Sequence, residues 1–484
     1  MSAEILSLGE LQIHLSEGVR DHLSAQCGDA LLSSILERMT QSPADTCCRV
    51  NLLKSSVDEV MDALREYVIE SRERRCVHRF SVKRHDVFKD LVLVRAESSD
   101  SRSTSGSWYH RRGPPNPEGK DIFPRWLKRT ELGWPVSHRA VVVDRFCGEA
   151  VLRGADIFVK ANEDVAVYAD IRAPSVKSIA RGLVLEKYSG QCVFLGVGTL
   201  CCERAELFSR NSGVGVRMGR IAGPPQPSLN GILSTQHMLQ NLPSVAVAHA
   251  LEPRPGDVIM DMCCAPGGKT SHIASLVGNR GLIIACDKSR KKMLNTAALF
   301  QSMGATCIIP LALDSTKCVI DEDETKWRDV RSVVDCAAIG EDGLLDVKGF
   351  HVDSFDRILL DPPCSALGLR PKLYVEARSA RHLKKYAEYQ KRFVEAAVKL
   401  LKRGGTLVYS TCTINADENE DMVSFILSQY DCMQLVPLPD NFPGGRGLPN
   451  RGLSDEQRSN IRRFDPTADI NTMGFFIALF QKVD

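Results

Sequence analysis

Hydrophobic positions along this chain keep three different rhythms in succession. Over residues 1–97 both the helical and the strand period occur. Val19, Leu23, Leu31, Leu32 and Ile35 recur at helical spacing and predict a helix over 17–38. Val57, Val60, Met61 and Leu64 mark one face of a second helix, over 57–67. Short apolar runs at 48–52 and 91–94 read as strands, so the stretch is expected to form a small α/β unit. Residues 98–138 keep no period; serines, arginines and the run Gly113-Pro114-Pro115-Asn116-Pro117 predict a linker or long loop.

From 139 to 224 the pattern becomes short β-branched runs, at 140–143, 150–152, 165–168, 183–185 and 192–195, parted by turn residues such as Gly148, Asn162 and Gly190. Several short strands at this spacing predict a small β-barrel. From 225 to 484 strand and helix alternate. Strands are expected at 258–261, 282–287, 306–313, 355–360 and 406–409, and helices at 269–277, 290–303 and 383–401. That alternation predicts a doubly wound parallel sheet. Residues 317–354 read as an acidic, irregular insertion, and 473–480 as an apolar strand closing the sheet in antiparallel sense.

Composition narrows the picture little. The net charge of only +2 excludes a strong general nucleic-acid field, so any such binding must rest on local patches. One candidate is the basic, aromatic stretch holding Trp108, Tyr109, His110, Arg111 and Arg112; a solvated loop is the plainer reading and an RNA contact the alternative. The 17 cysteines include adjacent pairs but no C-x-x-C spacing, which argues against structural zinc, and no metal is expected. Residues 1–13 carry no leader pattern and no run suits a bilayer, so a cytoplasmic, monomeric protein with free thiols is expected.

Candidate chemistry gathers at the carboxyl ends of the C-terminal strands. Asp261-Met262-Cys263-Cys264-Ala265-Pro266-Gly267-Gly268-Lys269-Thr270 reads as strand, glycine loop and helix start. A P-loop would need glycine five positions before Gly268, where Cys263 stands, and G-x-G-x-x-G is absent. A nucleoside without phosphates fits better. Asp287 ends the next strand, where a carboxylate accepts ribose hydroxyls, and Asp314 ends the third, within reach of an adenine amino group. Any one of these acids is as readily a helix cap. Three on successive strands favour a ligand.

Two cysteines follow neighbouring strands: Cys364 in Asp361-Pro362-Pro363-Cys364-Ser365, and Cys412 in Ser410-Thr411-Cys412-Thr413. Free cysteine often packs as a small hydrophobe. Two of them at strand ends beside an acid suit covalent attack on an electron-poor pyrimidine ring: a thiolate adds to carbon 6 and makes carbon 5 nucleophilic. Spacing alone does not rank the two.

These motifs, with Glu418-Asn419-Glu420, the N-terminal Cys48-Arg49-Val50-Asn51, and Arg463-Phe464-Asp465-Pro466, resemble the NSUN family of RNA (cytosine-5) methyltransferases over all of 229–484. Gly148-Glu149-Ala150-Val151-Leu152-Arg153-Gly154-Ala155 resembles part of a PUA domain, as in the tRNA-directed branch of that family. The resemblance implies a Rossmann-like S-adenosylmethionine-dependent methyltransferase fold with an inserted PUA-like barrel. It implies that Cys263, Cys264, Ala265, Pro266, Gly267, Gly268 and Lys269 line S-adenosylmethionine, with Asp287 on the ribose, Asp314 on the adenine side and Asp361 at the same pocket. Cys412 would be the nucleophile, Cys364 would assist release, and Asp361 would meet the cytosine edge. The substrate implied is tRNA near its acceptor end, with Lys177, Arg181 and Arg153 as candidate backbone contacts. Pro362 and Ala366 depart from the family's Asp-Ala-Pro-Cys-Ser-Gly. Two rival readings remain: an amino-directed methyltransferase using Asp361-Pro362-Pro363, which would lack the stacking aromatic at 364, and a non-catalytic RNA-binding protein.

Overall fold

The computed structural model describes residues 4–6, 11, 13–73, 79–97, 140–153, 164–171, 191–200, 216–221, 226–229, 232–320, 329–375, 379–467 and 471–483. The expected 98–138 linker, the 183–185 strand, Lys177 and Arg181 lie outside them.

The first elements are β1 (Glu4–Leu6), α1 (Glu17–Cys27), α2 (Asp29–Met39), β2 (Asp45–Val50), α3 (Val57–Glu73), β3 (Phe80–Arg84) and β4 (Leu91–Ala96). The single helix expected over 17–38 is two, because Gly28 takes a φ of +84° that only glycine adopts freely and turns the chain. The first 97 residues serve three places. β1 pairs in parallel with a strand of the middle sheet described below. The pair α1–α2 buries Val19, Leu23 and Ile35 against Leu367, Leu383 and Ile414, which flank the candidate cysteines. β2, β3 and β4 form a sheet in the order β3-β4-β2 with α3 on one face.

The middle elements are β5 (Ala140–Val143), α4 (Arg145–Leu152), β6 (Asp164–Asp170), β7 (Gln191–Leu200) and β8 (Val216–Ile221). Residues 150–152, expected as strand, belong to α4. Asp144 caps that helix by accepting from Cys147 N at 2.8 Å, and the contacts of Cys147, Val151 and Leu152 with the sheet's apolar cluster follow the helical period. The sheet runs β1-β7-β6-β5 with β8 also on β7; no pair closes it into a ring among the described residues.

The C-terminal half contains β9 (His237–Leu239), α5 (Leu242–Ala250), β10 (Val258–Asp261), α6 (Gly268–Leu276), β11 (Leu282–Cys286), α7 (Arg290–Met303), β12 (Ile308–Leu311), α8 (Val330–Asp335), β13 (Ala338–Ile339), β14 (Leu345–Asp346), β15 (Phe355–Leu360), α9 (Ala380–Leu400), β16 (Leu401–Thr411), α10 (Glu420–Gln429), β17 (Met433–Val436), α11 (Asp455–Asn460), β18 (Arg462–Phe464) and β19 (Phe475–Lys482). Its sheet runs β13-β14-β12-β11-β10-β15-β16-β19-β17, with β18 on β19. Strands β12, β11, β10, β15 and β16 are parallel, and β19 inserts antiparallel to β16. The chain moves outward from β10 to β12, then returns to β15 beside β10. Ligands bind above such a reversal point, at the strands' carboxyl ends. The insertion expected to be irregular carries α8 and the β13–β14 pair, which lengthen the sheet beyond β12 because Val330, Val334 and Val347 bury apolar surface there. The strand expected at 473–480 is β19, antiparallel as expected, but β17 rather than β19 lies at that edge of the sheet. Among the described residues no helix is long and apolar enough to cross a membrane.

β9 joins the N-terminal sheet through β2. Arg49, fully buried, donates to Ser271 Oγ at 3.1 Å, and Asn51 Nδ2 donates to the carbonyls of Thr235 and Met303. The Arg-Val-Asn element thereby pins the N-terminal sheet to α6 and α7. Asp90 adds a second tie, accepting from His249 at 2.8 Å and His272 at 2.6 Å.

Candidate active site

The loop between β10 and α6 is braced from beneath. Asp261 is 1% exposed; Thr270 Oγ1 donates to one of its oxygens at 2.7 Å and Cys263 N to the other at 3.2 Å, while burial pushes its carboxyl up to about 7. The first of the three strand-end acids therefore shapes the loop. Cys264 is buried too, its thiol against Met293. Gly267 has a φ of +99°, and a Cβ there would stand 2.8 Å from the Phe300 ring and 2.9 Å from the Thr296 methyl. This glycine is required by the turn and by the approach of α7, rather than by a ligand. Cys263, Ala265 and Pro266 face outward on the partly open side of the loop.

Asp287 lies one residue past β11 and Asp314 three past β12. Each spends one oxygen on its own loop. Asp287 Oδ1 accepts from Ser289 N at 2.8 Å, and Asp314 Oδ1 accepts from Thr316 N and Thr316 Oγ1. Their other oxygens have no hydrogen-bond donor among the described residues. The loop's one cation, Lys269, is already held by Asp361 at 2.6 Å. Free carboxylate oxygens, with the loop's own lysine already held by Asp361, fit the hydroxyls and amino group of a nucleoside better than a pyrophosphate. S-adenosylmethionine meets that requirement, and when bound it supplies a methyl group on a positively charged sulfur.

Cys364 and Cys412 lie just past β15 and β16, which pair through Leu360 and Tyr409. Their sulfurs are 3.3 Å apart. Asp361 stands beside them with both oxygens engaged, Oδ1 by the Ser410 hydroxyl at 2.7 Å and Oδ2 by Lys269. A hydrogen bond from Cys364 lowers the Cys412 pKa below the usual thiol value against the effect of burial, and the Lys269 charge helps offset that of Asp361. Cys364 is pushed well up, by donating to Cys412, by burial, and by the nearby Cys412, Glu418 and Asp361 charges. The two shifts run in opposite directions across a contact in which either sulfur can donate, and their sense favours Cys412 as the more acidic thiol.

Both loops are fastened by one buried carboxylate. Glu418 accepts from Ser365 N at 3.0 Å, Ser365 Oγ at 2.5 Å, Asn415 Nδ2 at 2.9 Å and Gln390 Nε2 at 3.0 Å. Gly368 N donates to the Cys412 carbonyl at 3.0 Å. Arg463, 3% exposed, holds Glu420 and donates to the Ile414 carbonyl at 2.7 Å. From α1, Gln26 bridges Asn415 Oδ1 and Ala416 N, and His22 meets Asp417 at 2.8 Å. Ser410, Gln390 and Gln26 were not singled out from sequence; single polar residues inside amphipathic or strand patterns give no signal there. Arg153 is exposed just past α4.

Asp90, His249 and His272 also bring metal-ligating atoms together, within 4.8 Å of one another. A metal would need both Nε2 atoms stripped of hydrogen, which moves the proton of His272 to a buried Nδ1 that has no partner among the described residues. The group is better satisfied as a hydrogen-bonded triad.

The family described as 16S rRNA methyltransferase RsmB/F matches residues 248–481. Human NSUN6, a tRNA (cytosine(72)-C(5))-methyltransferase, is 38% identical over 98% of this chain and 97% of its own. An rRNA (cytosine-C(5))-methyltransferase of Arabidopsis thaliana, NOP2C, is 30% identical over 96% of this chain and 90% of its own. The crystal structure of NSun6 from Pyrococcus horikoshii with SFG, an S-adenosylmethionine analogue, has a TM-score of 0.65 at 26% identity, covering 97% of this chain and 98% of that one. Similarity of this extent takes in the N-terminal and middle sheets as well as the α/β half. The chain belongs to the RNA (cytosine-5) methyltransferases, enzymes that transfer the methyl group of S-adenosylmethionine to carbon 5 of cytosine.

Proposed function

We propose that this enzyme methylates a cytosine of tRNA close to the acceptor end, with Cys412 as the nucleophile, Cys364 assisting release and Asp361 at the base's N3 and amino edge. The observation carrying this reading is the 3.3 Å sulfur pair beside an Asp361 held by Lys269 and Ser410. The Cys412 thiolate adds to carbon 6 and drives electrons toward carbon 5, while a donor at the N3 edge stabilises the ring. Once carbon 5 carries the methyl group, its proton must leave, and the carbon–sulfur bond breaks to regenerate the thiolate. Cys364, 3.3 Å from Cys412, is placed to donate to that departing thiolate. Cys263, Ala265, Pro266, Gly267, Gly268 and Lys269 would line the methyl donor, with Cys264 contributing backbone, and Asp287 and Asp314 would take its hydroxyl and amino groups.

The tRNA assignment draws on the near full-length likeness to NSUN6, which exceeds that to the rRNA enzyme in identity. In this reading the middle sheet with α4, within 139–224, is a PUA-like RNA-docking domain inserted between the N-terminal region and the catalytic domain at 225–484. A paired target cytosine must be extruded from its helix to reach Cys412.

The test is a denaturing gel of protein incubated with tRNA and S-adenosylmethionine. Cys364→Ala is expected to accumulate a protein–RNA adduct that survives denaturation, and Cys412→Ala to give none. Exchange of the two results would reverse the roles of the cysteines. Methyl transfer surviving Cys412→Ala without any adduct would remove the nucleophile and favour amino-directed chemistry.

A further inference from the structure

The chain carries a net charge of +2, yet α9 alone holds six basic residues against two acidic ones. Their placement is uneven. Arg381, Lys384, Lys385, Glu388, Arg392, Glu395 and Lys399 form one exposed stripe at helical spacing. Toward the C-terminal end the charges neutralise one another: Glu388 pairs with Lys391 at 2.7 Å and Glu395 with Lys399 at 2.9 Å. Toward the N-terminal end Arg381, Lys384 and Lys385 have no acidic partner among the described residues. Arg381 lies in the first turn, where the helix dipole disfavours a cation, and that turn holds no acid to offset it. Three exposed cations without an acidic partner, one of them against the helix dipole, gain little within the fold, which points to a residue set kept for a partner.

Their location agrees. α9 leads straight into β16 and runs back across the sheet, so its N-terminal turns lie at the carboxyl edge where Cys364 and Cys412 stand. Leu383, between the cations, packs with Leu367 and Ile414 from the two cysteine loops. The helix also packs against the turns Ser315–Lys317 and Ala416–Glu418, and so borders both the nucleoside side and the cysteine side. Lys288, next to Asp287, extends the basic surface by donating to the Tyr389 hydroxyl at 3.2 Å.

We propose that the Arg381-Lys384-Lys385 stripe at the start of α9 is a phosphate-binding surface on the catalytic domain that holds the RNA backbone beside the target cytosine. This rests on the proposed function and adds a second RNA contact, apart from the middle sheet. The stripe is sequence-independent in what it reads: it positions a strand without choosing a base.

The experiment replaces Arg381, Lys384 and Lys385 together by Gln and measures tRNA affinity from 50 to 200 mM salt, with KM and kcat for methylation. Each lost phosphate contact removes about 0.9 from the slope of log affinity against log salt, so over this fourfold range wild type is expected to lose roughly 40-fold more affinity than the triple variant. KM should rise while kcat at saturating RNA holds. The Lys384→Arg/Lys385→Arg pair should keep the wild-type slope, and Lys399→Gln, at the far end of the same helix, should change nothing. An unchanged slope and KM in an active triple variant would overturn the surface and leave the cysteine chemistry intact, as would a fall in kcat alone. A wild type that shows the expected salt response, together with a Cys364→Ala protein that forms no Cys412 adduct, would keep the surface and remove the proposed chemistry.

Discussion

Glu418→Gln tests whether the two cysteine loops are held by one carboxylate. Glu418 is fully buried and receives two donors on each oxygen: Ser365 Oγ and Asn415 Nδ2 on Oε1, Ser365 N and Gln390 Nε2 on Oε2. Burial raises its carboxyl pKa despite these donors, yet three of the four are N–H groups that only an acceptor satisfies. An amide must turn its NH2 toward one pair. The least costly choice is the Oε1 side, where the Ser365 hydroxyl can rotate to accept. Asn415 Nδ2 is then left facing a donor. An orphaned buried donor costs about 1–3 kcal/mol, and exchanging charge-assisted bonds for neutral ones costs about 1 kcal/mol more, less the relief of uncharging a buried site. Before that relief the cost is about 2–4 kcal/mol, at most roughly 4–16 °C in the melting of the α/β half. Thermal unfolding followed by circular dichroism reads the stability. Adduct formation in a Cys364→Ala background reads the alignment of the Cys412 loop, and it should slow. Melting within about 2 °C of wild type, together with an unchanged adduct rate, would refute the clasp.

Three further outcomes follow from the same structure. Cys412 should be alkylated by iodoacetamide at lower pH than Cys364, and Cys364→Ala should shift its titration upward because the thiol donor is lost; mass spectrometry across pH 6–10 resolves the two sites, and the reverse order would contradict the polarity. Burial holds His272 near pKa 4, below the ordinary 6.5. Between those values the unfolded chain binds a proton that the folded chain does not, so stability rises with pH through the window and is lost as pH falls through it, by about 3 kcal/mol in full. Urea midpoints at pH 7 and pH 4.5 should show this, and a His272→Gln protein with the same pH slope would assign it elsewhere. Ala366 has a φ of +54°, a left-handed backbone that costs a non-glycine residue about 1 kcal/mol or more, so Ala366→Gly should leave stability level or raise it by up to about 1 kcal/mol in urea unfolding. A loss larger than that would show the loop gaining from alanine in some other way.

That last position illustrates what could be read in advance. Ala366 stands out in the sequence only as a departure from a family pattern; the positive φ explains why a glycine belongs there. The same holds for Arg463 and Asn51, visible as parts of motifs with no assigned task. Folded, they are cross-links: Arg463 to Glu420 and the Ile414 carbonyl, Asn51 to Thr235 and Met303. Asp261 moved the other way. Its place at a strand end suggested ligand contact, whereas its burial and its bond to Thr270 make it part of the loop's frame.

Local pattern alone determined the alternation of β10, β11, β12, β15 and β16 with α6, α7 and α9, the glycine loop after β10, and the presence of a cysteine past each of two strands. Those are properties of period, turn chemistry and spacing, which survive in one dimension. It erred at 150–152, where β-branched and helical signals coincide, and at 17–38, where one glycine decides between one helix and two. The pairing of the two cysteines was visible only in three dimensions, because it depends on a 3.3 Å contact across two strands and on a lysine from a third element beside them. The same is true of the basic stripe on α9. Its residues are plain in the sequence, but their significance comes from which end of the helix meets the active site, and only the sheet's topology sets that.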